Sequence, residues 1–157
     1  MNKKLIISLF VTALLMLLGL SACNDDTNCA SFNTTAIQVD FKNVNTGVTR
    51  NLIFREINAH LGEGLSQQLY DSGAYSALSL PLNPFADSST FLFQRLNLSL
   101  IDTLTIGYDV NLKLISPQCG TEYVITGLEI RYHTFDSLTL ASTELLTINE
   151  ADIQIIE

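Results

Sequence analysis

The chain has 157 residues, 47% of them hydrophobic, and carries eight basic against sixteen acidic side chains for a formal charge of −8. That length supports one domain with a core of its own and leaves two cramped. The acidity argues against nucleic acid as a partner, because phosphates must be neutralised by Lys and Arg, and against an electrostatic grip on anionic lipid; it reads as solubility.

Lys3 and Lys4 precede an apolar run from Leu5 to Leu20 that ends in Leu20-Ser21-Ala22-Cys23. A basic start, a short apolar stretch and small residues before a cleavage point are what the translocation machinery and a signal peptidase read. The run's 16 residues fall short of the about 20 a membrane-spanning helix needs, and the polar stretch Asn24 to Asn28 follows at once. Its ending resembles a bacterial lipobox. The resemblance implies cleavage before Cys23, a diacylglyceryl thioether on that sulfur and usually an amide-linked acyl chain. Residues 1–22 are then a lipoprotein signal peptide, and two or three acyl chains anchor stably where one is marginal. The mature chain, 157 less 22 residues, keeps six basic and sixteen acidic side chains, a balance of −10.

Residues 23–35 are small and polar and read as a lipidated tether, with a single β domain over 36–157. With Cys23 assigned to lipid, Cys29 and Cys119 remain, and in an oxidising compartment a disulfide is the default expectation. The alternatives are two buried thiols or a redox thiolate, and neither cysteine lies in a Cys-x-x-Cys pair.

Strand signals begin with Ile37, Val39 and Phe41, which alternate with Gln38 and Asp40. Asn45-Thr46-Gly47 supplies a turn. The run Val48 to Ile57 is rich in β-formers, with Leu52-Ile53-Phe54 marking a bulge or a strand buried on both faces. Asn58 to Ala74, interrupted by Gly62, Gly64 and Gly73, reads as loop with a short strand or one helical turn near Gln67 to Tyr70. Leu78, Leu80 and Leu82 resume the alternation, and Pro81, lacking an N–H, fits an edge strand or a bulge. Phe85 to Ser88 is a loop. Thr90 to Leu98 carries Phe91 and Phe93 on one side. From Asp102 to Ser116, Leu104, Ile106, Tyr108, Val110, Leu112 and Leu114 occupy every even position, the mark of a long half-buried strand. Ser116 to Gly120 turns the chain into a partner strand, Glu122 to His133, where Gly127 accommodates a bulge. Ser137 to Ala141 and Asp152 to Ile156 follow.

Seven or eight consecutive strands with short turns pair antiparallel, since parallel pairing needs long crossovers. The expected fold is all-β, an antiparallel β-sandwich, with a half-open β-barrel as the alternative.

The lipobox, Leu80-Pro81-Leu82-Asn83, Asp102 to Tyr108 and Ile115 to Gly120, read together, resemble a family of small uncharacterised lipoproteins of Bacteroidetes-type bacteria. The resemblance implies a lipid-anchored β domain with no catalytic residues to carry over. Asn24-Asp25-Asp26 resembles the acidic signal that in those bacteria favours the outer face of the outer membrane; an ordinary Asp-rich tether reads the same way. Asp102-Thr103-Leu104 and Asp136-Ser137-Leu138 resemble their acceptor triplet for O-glycosylation, which would place sugar on Thr103 or Ser137. The competing reading makes both aspartates turn residues.

His60 and His133 are the only histidines, and no spacing with Cys or carboxylates matches a zinc site. There is no Gly-x-Ser-x-Gly elbow, Gly62-Glu63-Gly64 is a fragment of a phosphate loop at best, and Glu150 with Asp152 comes with no tuned environment. No metal, no cofactor and no catalytic residue are therefore expected. Tyr108 and Tyr132 fall in the apolar phase of their strands and read as core. Tyr70 and Tyr75 flank Gly73 and make Gly62 to Ala77 the candidate recognition loop. The leading expectation is a non-enzymatic accessory or interaction module in the cell envelope, on the periplasmic or outer face of the outer membrane. A glycan-binding module and an enzyme of unrecognised type are the alternatives.

Overall fold

Alternation of apolar and polar residues builds two facing sheets, and the computed structural model describes residues 35–62, 65–96, 100–117, 119–145 and 150–157. Among the described residues ten strands run β1 (Ala36–Lys42), β2 (Leu52–Gly62), β3 (Leu65–Tyr70), β4 (Gly73–Tyr75), β5 (Ala77–Pro81), β6 (Ser88–Arg95), β7 (Ile101–Ser116), β8 (Gly120–His133), β9 (Ser137–Leu140) and β10 (Ile153–Ile156). One sheet has the order β5-β1-β10-β9. The other has the order β3-β2-β6-β7-β8, with β4 also paired to β2. The protein is all-β and mostly antiparallel, with two separate sheets and neither closed into a barrel, as in the expected β-sandwich. The strand count among the described residues exceeds the expected seven or eight because Asn58 to Ala74, expected to be mostly loop, carries the end of β2, all of β3 and the start of β4; the short strand expected near Gln67 to Tyr70 falls within β3. No part of that segment among the described residues is helical.

Among the described strands the parallel pair is β1 with β10, in the register Val39↔Ile153 to Lys42↔Ile156. Parallel strands cannot share a tight turn, and here the connection is the whole intervening domain. Asp152 fixes the start of this pair. Its buried carboxylate accepts the Gln38 N–H at 2.7 Å, while its own N–H donates to the Gln38 carbonyl at 2.9 Å.

The core lies between the sheets, with Ile37, Val39, Phe41 and Leu80 on one side facing Phe54, Phe91, Phe93 and Ile106 on the other. A file of rings crosses it: Phe41 to Phe54 at 5.4 Å, Phe54 to Phe93 at 5.8 Å and Phe93 to Phe135 at 5.2 Å between centroids. Leu52 and Phe54 point inward with Ile53 half exposed, so that strand is buried on one face only. A bulge between Phe54 and Glu56 then advances the phase by one residue and turns Ile57 inward.

Two expectations for β7 and β8 fail. Tyr132 is 56% exposed because a bulge in β8, opposite the Thr105 to Ile106 step, reverses the facing of everything beyond it. Leu112 and Leu114 keep the alternation of Leu104 and Ile106 yet are 66% and 61% exposed. The 16 residues of β7 span about 54 Å, whereas the 7 residues of β1 span about 24 Å, so among the described residues no strand of the facing sheet reaches the far end of the β7–β8 hairpin.

Candidate interaction surfaces

Two surfaces stand out, an uncovered arm and a polar cleft. The arm is the distal β7–β8 hairpin, where the registers Val110↔Ile125, Leu112↔Tyr123 and Leu114↔Thr121 place these side chains in pairs on one face. Gly127, at φ +64°, takes the left-handed backbone of the bulge that sets this phase. Phe85, 82% exposed, lies edge-on against Tyr123 with 5.6 Å between ring centroids. An apolar run of Phe85, Tyr123, Leu112 and Leu114 thus leads along the arm toward its turn. There the Cys119 N–H donates to Ser116 Oγ at 3.0 Å and Gly120, at φ +76°, closes the hairpin.

The cleft, of about 480 Å³, opens where β5 of one sheet nears β2, β3 and β6 of the other. His60, Gln67, Asn83, Ser88, Ser89 and Thr90 give it amides, hydroxyls and an imidazole over a small apolar floor that includes Leu69 and Leu82. Beside it a cycle of hydrogen bonds fixes the turn before β6. The Asn83 N–H donates to Ser89 Oγ at 3.0 Å, Ser89 meets the Tyr108 hydroxyl at 2.7 Å, and that hydroxyl donates to the Asn83 carbonyl at 2.9 Å. Burial pushes the Tyr108 hydroxyl's pKa up, against the opposing pull of its bonds to Ser89 and Asn83. It is a fixed structural phenol at neutral pH.

Charge is paired in two clusters, one exposed and one that links the sheets. Arg131 reaches Asp87 at 3.1 Å and Glu129 at 2.9 Å, and its hydrogen bond holds the Asp87 carboxyl below the usual carboxylate value of 3.8. Gly107 makes that reach possible, since a Cβ there would collide with the Arg131 guanidinium. Arg95 is held between Asp102, at 2.7 Å, and Glu157, tying the end of β10 to β6 and β7.

Of the residues singled out in the sequence, Cys23 and Cys29 lie outside the described residues, as does the expected signal peptide. Tyr70 and Tyr75 sit on strands, not on a loop. Their rings meet edge to face at 5.3 Å, the Tyr70 hydroxyl donates to the Ser79 carbonyl at 2.8 Å and accepts from its N–H at 3.0 Å, and the Tyr75 hydroxyl donates to the Asp71 carbonyl at 2.9 Å. Both phenols thus fasten β3, β4 and β5. Thr103 is half-buried in β7, flanked by β6 and β8, and its N–H donates to Thr134 Oγ1 at 2.8 Å. Ser137 is exposed at the start of the edge strand β9, so of the two triplets Asp136-Ser137-Leu138 is the more accessible. His60 lines the cleft and His133 contacts the Phe135 carbonyl through Nδ1 at 3.1 Å. Among the described residues no three of His, Cys, Asp and Glu gather as a metal site.

Phe85 and the bare ends of Leu112 and Leu114 escaped sequence reasoning. Their signal was one of length, a hairpin of 16 and 14 residues beside strands of 7 or fewer in the facing sheet.

A family profile described as a family of unknown function, DUF6452, matches residues 61–156, which take in the whole arm and most of the cleft. No curated protein and no solved structure matches the chain.

Proposed function

We propose that this chain, which belongs to the DUF6452 family of unknown function, is a lipid-anchored cell-envelope protein whose β-sandwich serves as a non-enzymatic interaction module. The observation that carries the reading is Lys3-Lys4, a 16-residue apolar run and Leu20-Ser21-Ala22-Cys23, followed by a polar tether and an all-β domain. Placement in the outer membrane of a Bacteroidetes-type cell rests on the resemblance of those segments, with Asn24-Asp25-Asp26 as the sorting signal. Attachment through Cys23 leaves the sandwich free to present its surfaces. The test is metabolic labelling with palmitate. Wild type should carry label and begin at residue 23, and Cys23→Ser should lose the label and leave the membrane fraction; label retained by C23S overturns the reading.

The disulfide belongs to the same reading. With a thioether on Cys23, Cys29 and Cys119 are the two cysteines left in the chain, and in an oxidising compartment they are expected to pair.

The cleft favours glycan as the class of ligand, because amides and hydroxyls at a rim with an apolar floor match the alternating polarity of a sugar ring. Gln67→Ala and Thr90→Ala remove hydrogen-bonding side chains without touching the core, and each should weaken binding about tenfold on a glycan array, one charge-free hydrogen bond's worth in a desolvated site. An array with no hit for wild type leaves the envelope-protein partner as the reading.

A further inference from the structure

We propose that the free end of the β7–β8 arm is a membrane-contact element: Leu112 and Leu114, with Phe85 behind them, enter the interface of the bilayer that holds the acyl chains. This rests on the lipid anchor proposed above and deepens it. Three observations support it.

The first is placement. Cys119 lies in the turn at the tip of the arm, just beyond the last strand pair, Ser116↔Gly120. If Cys29 is its partner, the six residues from Cys23 to Cys29 reach at most about 20 Å, and a disulfide adds about 6 Å between Cα atoms. The tip is then tied within about 26 Å of a lipidated residue at the membrane surface. Without the bond the link from Cys23 to the sandwich would run to the start of β1 at Ala36, thirteen residues on and up to about 45 Å away.

The second is composition. The three most exposed apolar side chains of this region, Phe85, Leu112 and Leu114 at 82%, 66% and 61%, sit on a single face. Tyr123 lies among them, and a ring with a polar tip suits the boundary between hydrocarbon and water. The third is charge. From Val110 to Ile125 the only charged residues are Lys113 and Glu122, directly paired across the hairpin. The arm is therefore neutral in a chain of net charge −8, and can enter the interface without the repulsion the rest of the domain meets at an anionic surface.

The chain contains no tryptophan, so a single introduced indole reports alone. Leu112→Trp places it on the arm. Ile101→Trp places it at the other end of β7, 52% exposed and about 36 Å away along the strand. Each lipidated protein is reconstituted into phosphatidylcholine vesicles with and without brominated acyl chains. The L112W emission should shift to the blue and be quenched at least about twofold by bromolipid, as for a side chain 5–10 Å into the interface, with I101W unchanged. The Cys29→Ser, Cys119→Ser double variant should lose much of the L112W quenching. A water-like L112W emission overturns the proposal. So does a blue shift without bromolipid quenching, which would assign the arm to a second copy of the chain. Acyl mass on residue 23 is read in the same sample: an anchored protein with a solvated indole faults the arm, and a quenched indole without acyl mass faults the anchor.

Discussion

Phe54→Ala should cost about 3–5 kcal/mol of stability, enough to remove much of the margin of a domain this size. Phe54 is fully buried, and its ring stands between Phe41 of the four-stranded sheet and Phe93 of the larger one. Truncation removes the apolar area and leaves a void that two hydrogen-bonded sheets cannot close by collapsing. The effect should appear in urea as a lower midpoint with the slope unchanged. Phe85→Ala is the matched control. Its ring is 82% exposed and should move stability by no more than about 0.5 kcal/mol. A loss under 1 kcal/mol for F54A would mean that the ring file does not join the sheets. Phe93 is less decisive for this question because its ring neighbours, Phe54 and Phe135, include none from the four-stranded sheet.

The alternation of Ile37, Val39 and Phe41, of Leu78 and Leu80, and of Phe91 and Phe93 was legible because in each of these strands those apolar residues are the buried ones on a single face. The same pattern in Leu112 and Leu114 misled, because a period of two reports which side chains share a face and carries nothing about what covers that face. Tyr132 misled for a different reason: the slip at Arg131 is set by β7, a strand twenty-odd residues away in sequence. The polar run Ser66-Gln67-Gln68 obscured the start of β3, an edge strand held by its ladder to β2, by the Tyr70 hydroxyl and by Leu69 and Tyr70 against the core. The pairing of β1 with β10 had no local sign at all, since no turn joins them. Of the candidate surfaces, the cleft is assembled from β2, β3, β5 and β6 and so depends on that same invisible topology.

Breaking the proposed Cys29–Cys119 bond should destabilise the domain by up to about 4–5 kcal/mol, the loop-closure entropy of a link between residues 90 apart. Such a bond acts on the unfolded chain, which it denies most of its end-to-end freedom. Phe54→Ala acts on the folded state, so the two losses have different origins. Native strain is what usually erodes such a gain, and the position of Cys119 bears on that. It lies in the hairpin turn beyond the covered core, where the backbone can settle to the geometry the sulfur requires without disturbing Phe54 or Phe93. The loss should therefore approach the entropic figure more closely than a bridge buried between the sheets would. Urea denaturation of the same protein before and after reduction measures it, with the Cys29→Ser, Cys119→Ser double variant expected to match the reduced form. A difference below about 1 kcal/mol between oxidised and reduced protein would show that no such loop is closed. The arm would then lose the short link to residue 23 on which its nearness to the bilayer depends, so this measurement and the bromolipid experiment must agree in sign.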